Sequence, residues 1–208
     1  PTQFNKRDDF KKYPRNFRKD IAILKKMNVE YLFKPSAREI YKFKAKKFNL
    51  KKKDKILCAK FRSGHFEGVL NVMNRFIEII KPRYIFLGKK DYQQLYLIKK
   101  HIEKRKIKSK IVECNTIREI DGIACSSRNS SLDKNQMKIA SNIYYYLRKL
   151  KKKIKKDYSF FNISKIKKDL IDLGASKIDY LENYNIKNFK KIKKTSRKFN
   201  LFFAYYIE

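Results

Sequence analysis

Gly88-Lys89-Lys90-Asp91 follows a short apolar run, Tyr84–Leu87, and precedes apolar residues at Leu95, Ile98 and Ile102. A strand that ends in glycine and feeds a helix beginning near Asp91 is a place for phosphate. The helix N-terminus exposes unpaired backbone N–H groups and a partial positive charge, and Lys90 adds a full one. A second group, Ser126-Ser127-Arg128, supplies two hydroxyls and a guanidinium close to Gly122. Such a loop suits the oxygens of a triphosphate or of a departing pyrophosphate. Each signal is weak alone, because Gly-Lys turns are common in a lysine-rich chain and a Ser-Ser-Arg triplet also reads as an ordinary polar turn.

The distribution of lysine strengthens both. Lysine fills 43 of 208 positions, yet Phe61–Ile80 and Ile111–Asp133 contain none. Four of the five glycines, Gly64, Gly68, Gly88 and Gly122, fall in or between these windows. Glycine lets a backbone approach a ligand without a Cβ in the way. The windows therefore read as the lining of a site.

Composition bounds the rest. A hydrophobic fraction of 42% and an aromatic fraction of 14% describe a folded chain with a core, not a disordered polycation. The net charge of +35 raises nucleic acid as a partner. Only 12 of the 55 basic residues are arginine, however, the residue that phosphate and base readout favour. The lysines are scattered among Ile, Asn, Phe and Tyr, as an A/T-rich coding bias would leave them, so a solvated lysine surface is the more economical reading. Cys58, Cys114 and Cys125 have neither the number nor the spacing of a disulfide framework or a zinc site. No apolar run reaches the ~18 residues of a membrane span, and no signal peptide is visible. The expectation is a cytoplasmic protein without a membrane partner. The first residue is Pro1, which reads as a chain whose true start is missing.

The elements that would carry these residues follow from periodicity. Ile21 and Leu24 belong to a helix from Arg18, and Val29–Phe33 reads as a short strand. Val69, Val72, Met73, Phe76, Ile77 and Ile80 have helical spacing, closed by Lys81-Pro82. Tyr84–Leu87 and Lys110–Cys114 read as strands flanking a helix from an Asp91 cap to about Lys104. Alternation of this kind predicts an α/β fold with a parallel sheet covered by helices. After Asn129, Asp133 precedes a long helix to about Lys156. Ile163–Leu173 is a further helix stopped by Gly174, and Lys177–Glu182 and Asn200–Ile207 are strands. The expected organisation is an α/β layer over residues 1–116 and a small α+β domain over 117–208.

Several stretches in register resemble one family. Pro1-Thr2-Gln3-Phe4, Asp8–Arg15, Arg62–Val69 (RSGHFEGV), Gly88–Leu95 (GKKDYQQL) and Arg118–Asn129 (REIDGIACSSRN) are similar to the pantoate–β-alanine ligases, with Lys177–Glu182 fitting more weakly. These are members of the HIGH-type nucleotidyltransferase superfamily. The resemblance implies a Rossmann-like parallel sheet, here lacking its first strand, and a reaction in which ATP and pantoate form a pantoyl adenylate that β-alanine then attacks. It further implies ATP with Mg2+ and a homodimer of the whole protein.

By that resemblance Gln3 and Gln94 hold pantoate, with Gln3 also near β-alanine. Gly88, Lys89, Lys90 and Asp91 bind ATP, Ile117 meets adenine through its backbone, and Cys125, Ser126, Ser127 and Arg128 form a mobile phosphate loop. Lys90 and Arg128 carry the catalytic charge, and Arg62 and His65 line the cleft. The chain departs from the family at Lys89, where the family has glutamate, and at Ser63 and Cys125. The family's MGxLHxGH segment, with its catalytic histidine, lies upstream of the PTQF stretch and is absent. The expectation is that this chain alone is catalytically silent. A lysine-rich nucleic-acid binder or a decayed, non-catalytic relative reusing the fold is the competing reading.

Overall fold

The computed structural model describes residues 11, 13, 16–41, 48–186, 188–192 and 199–208. Helices α1 (Phe17–Lys26), α2 (Ala37–Ile40), α3 (Cys58–Phe61) and α4 (His65–Ile80) precede strand β1 (Tyr84–Gly88). Helix α5 (Tyr92–Lys104) leads to β2 (Lys110–Cys114), and then follow α6 (Lys134–Lys156), α7 (Ile163–Asp172), β3 (Lys177–Asn185) and β4 (Phe199–Tyr206). The chain forms two compact units, Pro1–Lys55 with Arg62–Asn115, and Ile56–Phe61 with Thr116–Glu208.

In the first unit β1 and β2 pair in parallel, from Tyr84 opposite Lys110 to Gly88 opposite Cys114. Helix α5 makes the crossover that a parallel pair requires. Its Leu95, Ile98 and Ile102 recur at helical spacing and are buried, Ile98 completely. Helix α4 adds Phe66, Val69, Leu70 and Ile77 to the buried set. It ends at Lys81, in the left-handed region at φ 49°, just before Pro82, which cannot continue a helix. Asp54, in a single 3-10 turn, is buried, and both its carboxylate oxygens accept from Lys100 Nζ at 2.7 Å. That ion pair ties the segment before α3 to helix α5.

The expected strand at Val29–Phe33 is not formed. Those residues have no regular structure, and Tyr31 is 88% exposed. A β-rich run becomes a strand only where another strand completes its hydrogen bonds. Among the described residues β1 and β2 pair only with each other.

The second unit is built on helix α6. Asp133 and Gln136 close a capping box at its start. Ile143, Leu147, Leu150 and Ile154 form one seam along it, packed with Ile166 and Leu170 of α7, Leu181 of β3 and Phe199 of β4. Gly174 takes φ +107° beyond α7, and a Cβ there would meet the Ile139 side chain at 2.9 Å. β3 and β4 are antiparallel, with Lys177 opposite Tyr206 and Asn185 opposite Phe199. β3 runs three residues past Glu182 because Asn183 and Tyr184 are buried and β4 pairs them through Leu201 and Asn200. The α3 segment belongs with this unit: Cys58 Sγ lies 2.8 Å from the Tyr180 hydroxyl, and the Phe61 ring packs on Tyr180. Burial, then Cys58, push the Tyr180 phenol far above its ordinary range, so it stays protonated.

Candidate functional site

The turn after β1 carries Lys89, Lys90 and Asp91 in succession. Gly88 is extended, at φ −74° and ψ 134°, and a Cβ added to it would meet nothing within 4 Å. Lys89–Asp91 form one 3-10 turn that runs directly into α5. Because β1 and β2 are parallel and in register to their last residues, Lys89 and Asn115 emerge side by side. The Lys89 ammonium donates to Asn115 Oδ1 at 3.0 Å. Lys90 is exposed.

Asp91 occupies the N-cap position of α5, as the sequence implies, but its side chain makes no cap hydrogen bond. Asp91 is also the last residue of the 3-10 turn, and its carboxylate is exposed. Gln93 and Gln94 diverge by one helical step. Gln93 is buried and donates through Nε2 to the Asp54 carbonyl at 3.3 Å, whereas Gln94 is partly exposed. Between them and the turn, burial raises the Tyr92 phenol, with lesser contributions from Glu113 and Tyr96, so it remains a donor. Arg62 is half-buried just before α4, and its carbonyl accepts the His65 N–H at 3.2 Å. The His65 ring stands edge-on to Phe66, 4.8 Å between centroids. Gln3 lies outside the described residues.

The other predicted residues lie in the second unit, on a tight hairpin. Arg118 and Ala124 form an antiparallel bridge, and the Cys125 N–H donates to the Ile117 carbonyl at 3.0 Å. Ile117 and Cys125 are therefore direct neighbours across the hairpin, and the Ile117 side chain is 72% exposed. Gly122 makes the reversal at φ +86°, the left-handed conformation that favours glycine. Beyond Cys125 the Ser126 hydroxyl accepts the Arg128 N–H at 3.3 Å, and Ser127–Ser131 wind into a 3-10 turn. Asn129 Nδ2 donates to the Ala124 carbonyl at 3.1 Å and fastens that turn to the hairpin. The expected phosphate loop is thus a hydrogen-bonded turn with an exposed arginine.

Sequence reasoning missed three supports. Asn115 is the first residue past β2 and lies in the lysine-free window, a signal that was present. Asp54 sits in a lysine run, Lys51-Lys52-Lys53-Asp54-Lys55, that hides it. Tyr144 is one of three consecutive tyrosines on α6, and no periodicity singles it out.

Open α/β sheets bind ligands at the carboxyl ends of their strands as a rule, and here Lys89, Lys90 and Asp91 follow the end of β1. Solved structures similar to this one place it in the nucleotidyltransferase-like α/β class. Pantothenate synthetase from Thermus thermophilus superposes with a TM-score of 0.90 at 25% identity, covering 100% of this chain and 76% of that one. The pantoate-beta-alanine ligase of Francisella tularensis, solved with beta-gamma ATP and beta-alanine, gives 0.78 at 32% identity, covering 99% and 76%.

The profile of the pantoate-beta-alanine ligase family matches residues 1–208, and the chain belongs to that family of ATP-dependent ligases. The pantothenate synthetase of Caldicellulosiruptor saccharolyticus is 37% identical over 212 residues, spanning 100% of this chain and 75% of the relative.

Proposed function

We propose that the protein condenses pantoate with β-alanine at the expense of ATP. A pantoate carboxylate oxygen attacks the α-phosphorus of ATP and pyrophosphate departs. The β-alanine amine then attacks the acyl carbon of the pantoyl adenylate, loses a proton and expels AMP. The observation that supports this most is the family match across all 208 residues, which takes in every motif loop. The nucleotide and β-alanine bound to the Francisella relative agree with it.

In this reading Lys90 offers an exposed ammonium to the phosphates at a helix start, where the backbone already favours anions. Arg128 offers a planar fork to phosphate oxygens on the Ser126–Arg128 turn. Ser126 and Ser127 add hydroxyl donors on the phosphate loop that begins at Cys125, and the Ile117 backbone is assigned the base. Gln94 is assigned the hydroxy acid, since a neutral amide presents both a donor and an acceptor. Gln3 is assigned pantoate and β-alanine, and Arg62 and His65 the wall of the cleft.

Among the described residues no three His, Cys, Asp or Glu side chains group to hold a metal. Mg2+ is proposed to arrive on the ATP phosphates, keeping most of its waters, with the Asp91 carboxylate the one acidic group in the turn. No helix among the described residues is long and apolar enough to cross a membrane. A cytoplasmic setting and a homodimer complete the reading. The test, made in a chain supplied with the family's upstream MGxLHxGH segment, is formation of AMP and of pyrophosphate in the presence of ATP. Pyrophosphate should need pantoate alone and pantothenate should need β-alanine as well; pyrophosphate release indifferent to pantoate would refute the reading.

A further inference from the structure

The hairpin that carries Ile117 and the Ser126–Arg128 turn is held to helix α6 through an aromatic ring. The Arg118 guanidinium carbon lies 4.3 Å from the centroid of the Tyr144 ring. From there Arg118 Nη1 donates to the Gly122 carbonyl at 2.9 Å. The Gly122 backbone presses on the same ring: a Cβ at residue 122 would fall 2.3 Å from Tyr144 Cδ1 and Cε1. One turn earlier on α6, the Ser141 hydroxyl donates to the Asp121 carbonyl at 2.7 Å. Residues 141 and 144 share a face of the helix, so both anchors grip the tip of the hairpin from one side.

The anchoring is specific to the tip. The hairpin's own bonds, Glu119 N–H to the Ile123 carbonyl at 2.8 Å and Cys125 N–H to the Ile117 carbonyl at 3.0 Å, do not set its place on the helix, and a two-stranded hairpin holds such bonds only marginally without a surface to rest on. That place depends on the guanidinium above the ring, on a glycine that lets the backbone touch it and on the Ser141 bond to the Asp121 carbonyl. Arg118 itself is exposed, so little burial holds it there beyond the cation–π contact and its bond to Gly122.

We infer that Arg118 and Tyr144 are positioning residues for nucleotide binding: they clamp the hairpin so that Ile117 and the Ser126–Arg128 turn are presented in one orientation. The inference rests on the ATP reading of that turn. It predicts that, in a chain supplied with the family's upstream MGxLHxGH segment, Arg118→Ala and Tyr144→Ala raise the KM for ATP about fivefold to tenfold, the scale of losing one cation–π contact with its hydrogen bond. The KM for pantoate should stay within about twofold, the size of an indirect effect. Tyr144→Phe, which keeps the ring, should behave as the parent.

Hydrogen exchange at the Glu119, Gly122 and Cys125 amides should accelerate in both alanine variants while α6 amides stay protected. Because Arg118 is exposed, its alanine variant remains folded and informative even where Tyr144→Ala loses stability. Unchanged ATP KM and unchanged amide exchange in Arg118→Ala would overturn the clamp. So would losses shared equally by all three substrates, or a Tyr144→Phe variant as impaired as Tyr144→Ala. Arg128→Ala with an unaltered ATP KM would instead defeat the phosphate reading of the turn, and the clamp's role in nucleotide binding with it.

Discussion

Lys89 donates its ammonium to Asn115 Oδ1 at 3.0 Å, joining the residues that follow the last paired positions of two parallel strands. The cation is engaged by the protein, which gives the charge reversal at this position a structural use. Lys89→Ala and Asn115→Ala should therefore each alter the ATP KM by less than about threefold, as expected for an exposed polar contact. In a chain supplied with the family's upstream MGxLHxGH segment, Lys90→Ala should lower the rate of adenylate formation by about 10²-fold, the cost of one charge contact made in the transition state. Single-turnover measurement of pyrophosphate release with ATP varied separates the two; equal effects at 89 and 90 would contradict the assignment.

Gln94 and Arg128 should fail in different ways. Gln94→Ala is expected to raise the KM for pantoate while leaving that for ATP nearly unchanged. Arg128→Lys should slow adenylate formation, because an ammonium cannot span two phosphate oxygens as a guanidinium does. Initial rates with each substrate varied in turn test both, and a Gln94→Ala variant that shifted only the ATP dependence would place the residue wrongly.

The Asp54–Lys100 pair supports Gln93 from behind, since Gln93 donates to the Asp54 carbonyl. Lys100→Met keeps the apolar stem but leaves the buried Asp54 carboxylate without its cation, and should cost about 1–3 kcal/mol after allowance for the partly exposed lysine. Asp54→Asn combined with Lys100→Met should recover part of that loss, giving a coupling measurable in urea titrations. Strictly additive effects would mean the pair carries no interaction energy.

His101 is buried beneath Phe48, and its Nε2 lies 3.1 Å from Asn74 Oδ1. Burial first, then Arg105 and Lys104, hold its pKa below the ordinary value of 6.5. The unfolded chain thus binds the proton first as pH falls. The neutral histidine's contribution to stability is fully present above about pH 6.5 and is lost as pH drops through the lowered folded value. Thermal unfolding at pH 7.5 and at pH 5.5 should show a larger acid loss for the parent than for His101→Gln, which can keep the bond to Asn74 but does not titrate. Equal losses would mean that His101 is not the titrating group.

The fold was legible wherever a residue's environment is local. Val69 to Ile80 and Leu95 to Ile102 announce their helices because one face of each is buried, and Gly174 announces a stop. Val29–Phe33 misled because β propensity says nothing about whether a partner strand exists. Asp91 stands at a helix start as its place in the sequence predicts, but its side chain makes no cap bond. Tyr144 could not be read at all: its importance lies in meeting Arg118 and Gly122, more than twenty residues away along the chain, and no spacing rule reports that.

Gly88 separates two kinds of selection on one residue. Its backbone lies where any amino acid is comfortable, and a methyl group there would touch nothing within 4 Å. For folding alone, alanine should be the better choice, gaining about 0.4–1 kcal/mol by narrowing the unfolded ensemble. A library sorted for thermal resistance should enrich Gly88→Ala, whereas one sorted for pantothenate production should discard it if a phosphate occupies the open space above the strand end. Agreement between the two sorts at residue 88 would mean that no ligand comes that close.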